Sequence, residues 1–127
     1  MADVDRGNRP LSPHIAIYRP QLTSITSILT RITGNALIVA MLLVVWWLAA
    51  AAASPEAFGW ADAVITSWFG DLVMLLSLWA VWYHTLLGIR HLIWDTGSML
   101  DIGRAEMLGW ICVFGSVVLT ILTVIII

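Results

Sequence analysis

The residues of this 127-residue chain best suited to chemistry lie in one stretch, WAVWYHTLLGIRHLIWD, residues 79–95. His84, Gly88, His91 and Asp95 recur there at steps of four, three and four, which places them on one face of a helix. Leu86, Leu87, Ile93 and Trp94 supply an oily surround. A neutral imidazole is a good axial ligand to iron, and a nearby glycine clears room for a flat ring system. A histidine inside an apolar run with such a neighbour has what a buried haem needs. The competing reading is a histidine that only hydrogen-bonds within a helix interface, and spacing alone leaves both standing.

Histidine arithmetic bears on a partner. His84 and His91 would lie about 10 Å apart along one helix face, so they cannot grip opposite sides of one iron. His14 falls in a proline-rich segment outside the apolar run. A six-coordinate haem would therefore take its second ligand from another chain. His91, Arg90 and Arg31 are the donors available to haem propionates. For His91 a direct contact and a merely interfacial role both stay open.

A second group with chemical potential is Ser27 and Arg31, one helical turn apart at the start of the first apolar segment. A hydroxyl and a guanidinium can hold a quinone carbonyl and stabilise the negative charge its oxygen gains on reduction. The alternative for Arg31 is a side chain snorkelling to lipid headgroups.

The elements that must position these groups are membrane helices. The chain is 61% hydrophobic and 11% charged, with a mean hydropathy of +0.95. That composition and length predict a membrane protein of one small bundle. There is no lysine, and the net charge of −2 gives no sign of nucleic-acid binding. The single Cys112 sits in an apolar run and reads as a small buried hydrophobe.

Residues 1–21 form an N-terminal segment whose prolines at 10, 13 and 20 exclude a long helix. A short interfacial piece is expected around residues 15–18. The opening MADVDRGNRP has neither the apolar core of a signal peptide nor the acid-free pattern of a transit peptide. That favours a bacterial membrane protein or a mature organellar one. Residues 22–127 are expected to form one transmembrane domain, all-α, with spans over about 23–53, 70–96 and 107–127. In the first span Thr23, Ser27, Thr30, Arg31, Gly34 and Asn35 make a polar and small face, expected to look into the bundle or a cavity. Residues 54–71 read as a loop with the belt aromatics Trp60, Trp68 and Phe69. Residues 72–89 carry no formal charge and reach about 27 Å, enough to cross. The second helix is expected to stop at Gly97. With Ser116 and Thr120 as its polar positions, the third span is assigned packing and anchoring. Arginines flank the first span's start and the second's end and are absent from 54–71, which predicts a cytoplasmic N-terminus and a periplasmic C-terminus. Ser27, Arg31, His84 and His91 are then expected to gather in the inner half of the membrane.

Three stretches together resemble the cytochrome b subunit family of succinate dehydrogenase: RPLSPHIAIYRP, SILTRITG, and above all HTLLGIRHLIWDTG. The first looks like the mitochondrial and related bacterial branch. The resemblance covers most of the chain and implies half of a heterodimeric membrane anchor in the bacterial inner membrane. It implies that His84 is the axial ligand of haem b, shared with a second small three-helix anchor, and that Ser27 and Arg31 help form a ubiquinone pocket. The iron–sulfur subunit and the second anchor would complete that pocket, and a flavoprotein subunit would oxidise succinate. Some bacterial members carry a histidine where this chain has Thr30, so no proton relay is carried over to that position. Two rivals stand beside this reading: a fumarate reductase anchor working with menaquinone, and a haem-free structural anchor. A transporter or channel would want charge within the later spans or an internal repeat, and neither is present.

Overall fold

A computed structural model of the chain describes residues 17–127. Its described residues form helices and turns, with four α-helices: α1 (Leu22–Ala53), α2 (Pro55–Ile65), α3 (Trp68–Asp95) and α4 (Ile102–Ile126). Of these, α1, α3 and α4 are long and apolar enough to cross a membrane. Most of the N-terminal segment, including His14, Arg6 and Arg9, lies outside the described residues. Of the expected interfacial piece, Ile17 and Tyr18 are described and exposed, and Tyr18 Oη meets Ser24 Oγ at 2.8 Å.

The helix limits follow local chemistry. The span expected over 23–53 begins one residue earlier. At 32 residues, α1 is about 48 Å long, well beyond a hydrocarbon core of about 30 Å, so it tilts or projects past the membrane. The expected loop over 54–71 is instead largely helical. Ser54 caps α2 by accepting from the Ala57 N–H at 3.1 Å, Pro55 occupies the first turn, and Glu56 faces the helix's positive end. Ser67 caps α3 through the Gly70 N–H at 3.1 Å. Asp101 caps α4 through the Arg104 N–H at 3.0 Å, so α4 starts at Ile102 rather than near 107. The stop of α3 falls where its glycine allows: Gly97 has φ +75°, and its N–H bonds the Trp94 carbonyl at 2.8 Å.

The three long helices pack with α3 between α1 and α4. Ala80, Tyr83, Leu87 and Arg90 form the buried stripe of α3, at steps of three, four and three. Tyr83, Leu87 and Cys112 make the core, flanked by Leu29, Trp79, Leu86 and Val113. Small residues let backbones approach: Gly109 of α4 lies under Leu22 and Thr26 of α1, and Gly115 under Leu86. Ser116 and Thr120 return their hydroxyls to their own helix, and a third polar position of α4, Thr123, ties two helices. Thr123 accepts from Trp82 Nε1–H at 3.0 Å, joining α4 to α3. At the other end of α1, Trp47 donates to Asp62 at 3.2 Å and packs against Phe58, holding α2 to the bundle.

Candidate haem and quinone site

His84 projects from the middle of α3 toward α1 and is half-buried. Its Nδ1 lies 3.1 Å from the Thr30 carbonyl and 3.4 Å from Thr33 Oγ1. A carbonyl only accepts, so Nδ1 carries the proton and Nε2 is left with its lone pair. This is the tautomer of a histidine ready to bind a metal through Nε2, with the other nitrogen anchored on a backbone acceptor. The ring rests on Gly34 of α1: a Cβ built there would sit 3.0 Å from His84 Cε1 and 3.6 Å from Nδ1. One turn along α3, a Cβ at Gly88 would meet nothing within 4 Å, so the wall beside the histidine is open. These features fit a single axial ligand to a haem, with room on the same helix face.

His91 is exposed two turns further on. Its Nδ1–H bonds the Leu87 carbonyl of its own helix at 2.7 Å, and its ring meets Trp94 edge-on at 5.4 Å. Nε2 of His91 therefore also faces outward as an acceptor when neutral. As a charged imidazolium it would donate there, the form a carboxylate would select. Gly88, His91 and Asp95 share the exposed face expected from their spacing, and His84 sits at its edge.

Arg90 departs from expectation. Proposed as a donor to propionates, it is instead 2% exposed within the bundle. Nη1 donates to Thr26 Oγ1 at 3.0 Å, Nη2 donates to the Ala105 carbonyl at 2.9 Å, and the guanidinium lies 4.0 Å over the Trp94 ring. Its charge is spread over contacts to all three long helices, which is how an arginine at membrane depth becomes tolerable. Only Nε lacks a partner. Arg90 falls on the stripe with Tyr83 and Leu87, one position round the helix from His91, and that step decides its direction.

The polar face of α1 likewise divides. Thr23, Thr30 and Gly34 are half-buried, whereas Ser27, Arg31 and Asn35 are exposed. The expectation that the whole face looks into the bundle is thus corrected: the buried polar positions are Thr26 and Thr33, with Thr30 beside them. These threonines return their hydroxyls to the preceding helical turn, Thr30 to the Thr26 carbonyl at 2.8 Å and Thr33 to the Leu29 carbonyl at 2.8 Å. They cost little inside the bundle, while a guanidinium has no such local acceptor. Among the described residues, no hydrogen bond joins Ser27 or Arg31 to either histidine. They flank Thr30, and so sit next to the point where α1 receives His84. Arg31 is also absent from the ion pairs of the described residues, where Arg104 pairs with Asp101 at 3.2 Å.

Two apolar grooves of about 330 and 350 Å³ follow the α1–α3 seam, one beside Leu37, Met41 and Leu78, the other beside Val39, Leu43 and Leu76. Neither is lined by Ser27, Arg31 or a histidine, and acyl chains or apolar helix surface suit their walls. Sequence reasoning missed the Thr30 carbonyl and the role of Gly34. The four-residue spacing of Thr30 and Gly34 was the available signal, but which helix would face it was not.

Residues 5–123 match the family model described as succinate dehydrogenase/fumarate reductase transmembrane subunit. The chain is 53% identical over 126 residues to the succinate dehydrogenase cytochrome b556 subunit of Paracoccus denitrificans, covering 99% of this chain and 97% of that protein. It is 40% identical to the cytochrome b556 subunit of Rickettsia conorii, over 90% of this chain and 89% of the relative. It is 34% identical to the cytochrome b560 subunit of Marchantia polymorpha, over 93% and 90%.

Proposed function

Because the chain belongs to the succinate dehydrogenase/fumarate reductase transmembrane subunit family, we propose that it is the haem b-binding membrane anchor of a succinate:ubiquinone oxidoreductase. The observation that carries this reading is His84, with Nδ1–H on the Thr30 carbonyl, Nε2 free, and open space at Gly88. Haem b bound there would supply one-electron redox capacity beside the quinone site. His84 would hold its iron through Nε2, and a second membrane anchor would supply another ligand. His91 and Arg31, both exposed, would donate to its propionates.

Ser27 and Arg31 hold the quinone. Their hydroxyl and guanidinium donate to its carbonyl oxygens and stabilise the charge that grows there, with protons arriving from the aqueous side. The length of α1 supports this placement, since its first turns extend toward the interface rather than the bilayer centre. A flavoprotein subunit oxidises succinate, an iron–sulfur subunit carries the electrons, and the inner face of this anchor receives both. The arginine distribution supports a cytoplasmic N-terminus and a periplasmic C-terminus in a bacterial inner membrane. The alternative of a fumarate reductase anchor shares the family description. The relatives named above all carry the succinate dehydrogenase name, which favours succinate oxidation.

The test is a reduced-minus-oxidised absorption spectrum of membranes holding the whole complex. His84→Ala should abolish the b-type signal while the subunits still assemble. A full signal in that variant would end the ligation reading. In parallel, Arg31→Leu should cut quinone reduction by about 100-fold, the scale for losing one charge-stabilising donor. Succinate oxidation with a soluble dye acceptor should persist, and equal loss of both activities would assign Arg31 to assembly.

A further inference from the structure

We propose that Gly34 is a positioning residue for His84: its missing side chain lets the imidazole lie against α1 with Nδ1–H on the Thr30 carbonyl, and this sets the redox potential of haem held at Nε2. The inference rests on the ligation reading above, and its test is chosen so that the two can fail separately.

Gly34 sits in the interior of a 32-residue helix, where glycine is less favourable than alanine. Its backbone makes no use of glycine's freedom, since the positive-φ glycine of the described residues is Gly97. What Gly34 contributes is space. A Cβ there would press on the His84 ring at Cε1, 3.0 Å away, the carbon between the two nitrogens.

α1 cannot retreat from that contact. Tyr83 Oη–H donates to the Thr26 carbonyl at 3.2 Å, Arg90 grips Thr26 Oγ1, and Leu22 and Thr26 lie on Gly109. The ring must turn instead. Turning it misaligns the bond from Nδ1–H to Thr30, because hydrogen bonds weaken steeply away from linearity. The nearest other acceptor, Thr33 Oγ1, is already 3.4 Å away. A carbonyl on Nδ1–H makes Nε2 a better electron donor and so favours ferric iron. Weakening that bond favours the ferrous state.

The purified enzyme complex carrying Gly34→Ala should retain haem with a more positive midpoint potential and altered low-spin electron paramagnetic resonance g-values. The expected shift is a roughly tenfold higher ferrous-to-ferric ratio at fixed ambient potential, about 59 mV for a one-electron couple. Retained haem with unchanged potential and g-values overturns the inference. Haem loss from an assembled Gly34→Ala complex supports it if Ile38→Ala, one turn along α1, keeps its haem, and overturns it if both lose haem.

A mutant cycle on thermal dissociation supplies a readout independent of haem chemistry. Gly34→Ala should destabilise the complex when His84 is present and be neutral or stabilising in the His84→Ala background, where no ring is met. Equal effects in both backgrounds would show that Gly34 does not seat the imidazole. If His84→Ala keeps its full haem signal, ligation fails, yet the cycle still decides the packing role.

Discussion

Arg31 and Arg90 both interrupt apolar helices, yet their surroundings assign them opposite work. Arg90 donates to α1 and α4 and stacks on Trp94, so its replacement removes a charged donor from both the Ala105 carbonyl and Thr26 Oγ1. Arg90→Met should lower stability by about 1–3 kcal/mol, the scale of losing hydrogen bonds from a charged donor, read as a lower thermal dissociation midpoint of the detergent-purified complex. Arg31 is exposed and makes no comparable internal bonds among the described residues. Arg31→Leu should leave that midpoint within about 0.5 kcal/mol of the wild type while impairing quinone reduction. A variant pair with the effects reversed would contradict the division. Nothing in the one-dimensional spacing separates these two arginines. Each lies in an apolar helix near its polar end, and the distinction arises from the partners each one meets.

At the scale of elements, the junction of α2 and α3 holds the tightest glycine among the described residues. Gly70 stands in the first turn of α3, and a Cβ there would run into the carbonyl oxygens of Ile65 and Val64. Backbone cannot yield as a flexible side chain does, so Gly70→Ala should cost about 1–3 kcal/mol through forced movement of the turn. Thermal dissociation checks this, and an unchanged midpoint would mean that the junction yields freely. By contrast, Gly59→Ala on α2, where a Cβ meets nothing within 4 Å, should be neutral to slightly stabilising. The α2 helix was legible in principle. Ser54, Pro55 and Glu56 form a start signal in the sequence, but the reading of 54–71 as a loop weighed its charges and aromatics instead. The belt residues Trp60, Trp68 and Phe69 are 73, 80 and 65% exposed, as interfacial anchors should be.

For the molecule as a whole, the arginine asymmetry makes a directional prediction. Single cysteines at Glu56, in the first turn of α2, and at Ser98, just past the end of α3, both exposed, should react with a membrane-impermeant maleimide from opposite sides. Glu56→Cys should label in intact spheroplasts and Ser98→Cys only after permeabilisation. The native Cys112 is 4% exposed and should give little background. The reverse pattern would invert the bundle and move Ser27 and Arg31 away from the cytoplasmic face.

Hydropathy and length alone determined that three helices are long and apolar enough to cross a membrane, and residue type added that α3 stops just before Gly97 and that a histidine lies inside an apolar run. The charge-free lengths suffice because lipid leaves a backbone no other way to satisfy its hydrogen bonds. Which side of each helix faces its neighbours was decided only by the tertiary structure. These helices are apolar nearly all round, so no wet and dry face distinguishes their rotation, and hydrophobicity does not drive one against another in lipid. Rotation is settled by close approach at Gly34, Gly109 and Gly115 and by bonds such as Arg90 to Thr26 and His84 to Thr30. The two bonds join residues 64 and 54 positions apart, and the contacts together turn Arg90 inward while leaving Ser27 and Arg31 at the surface.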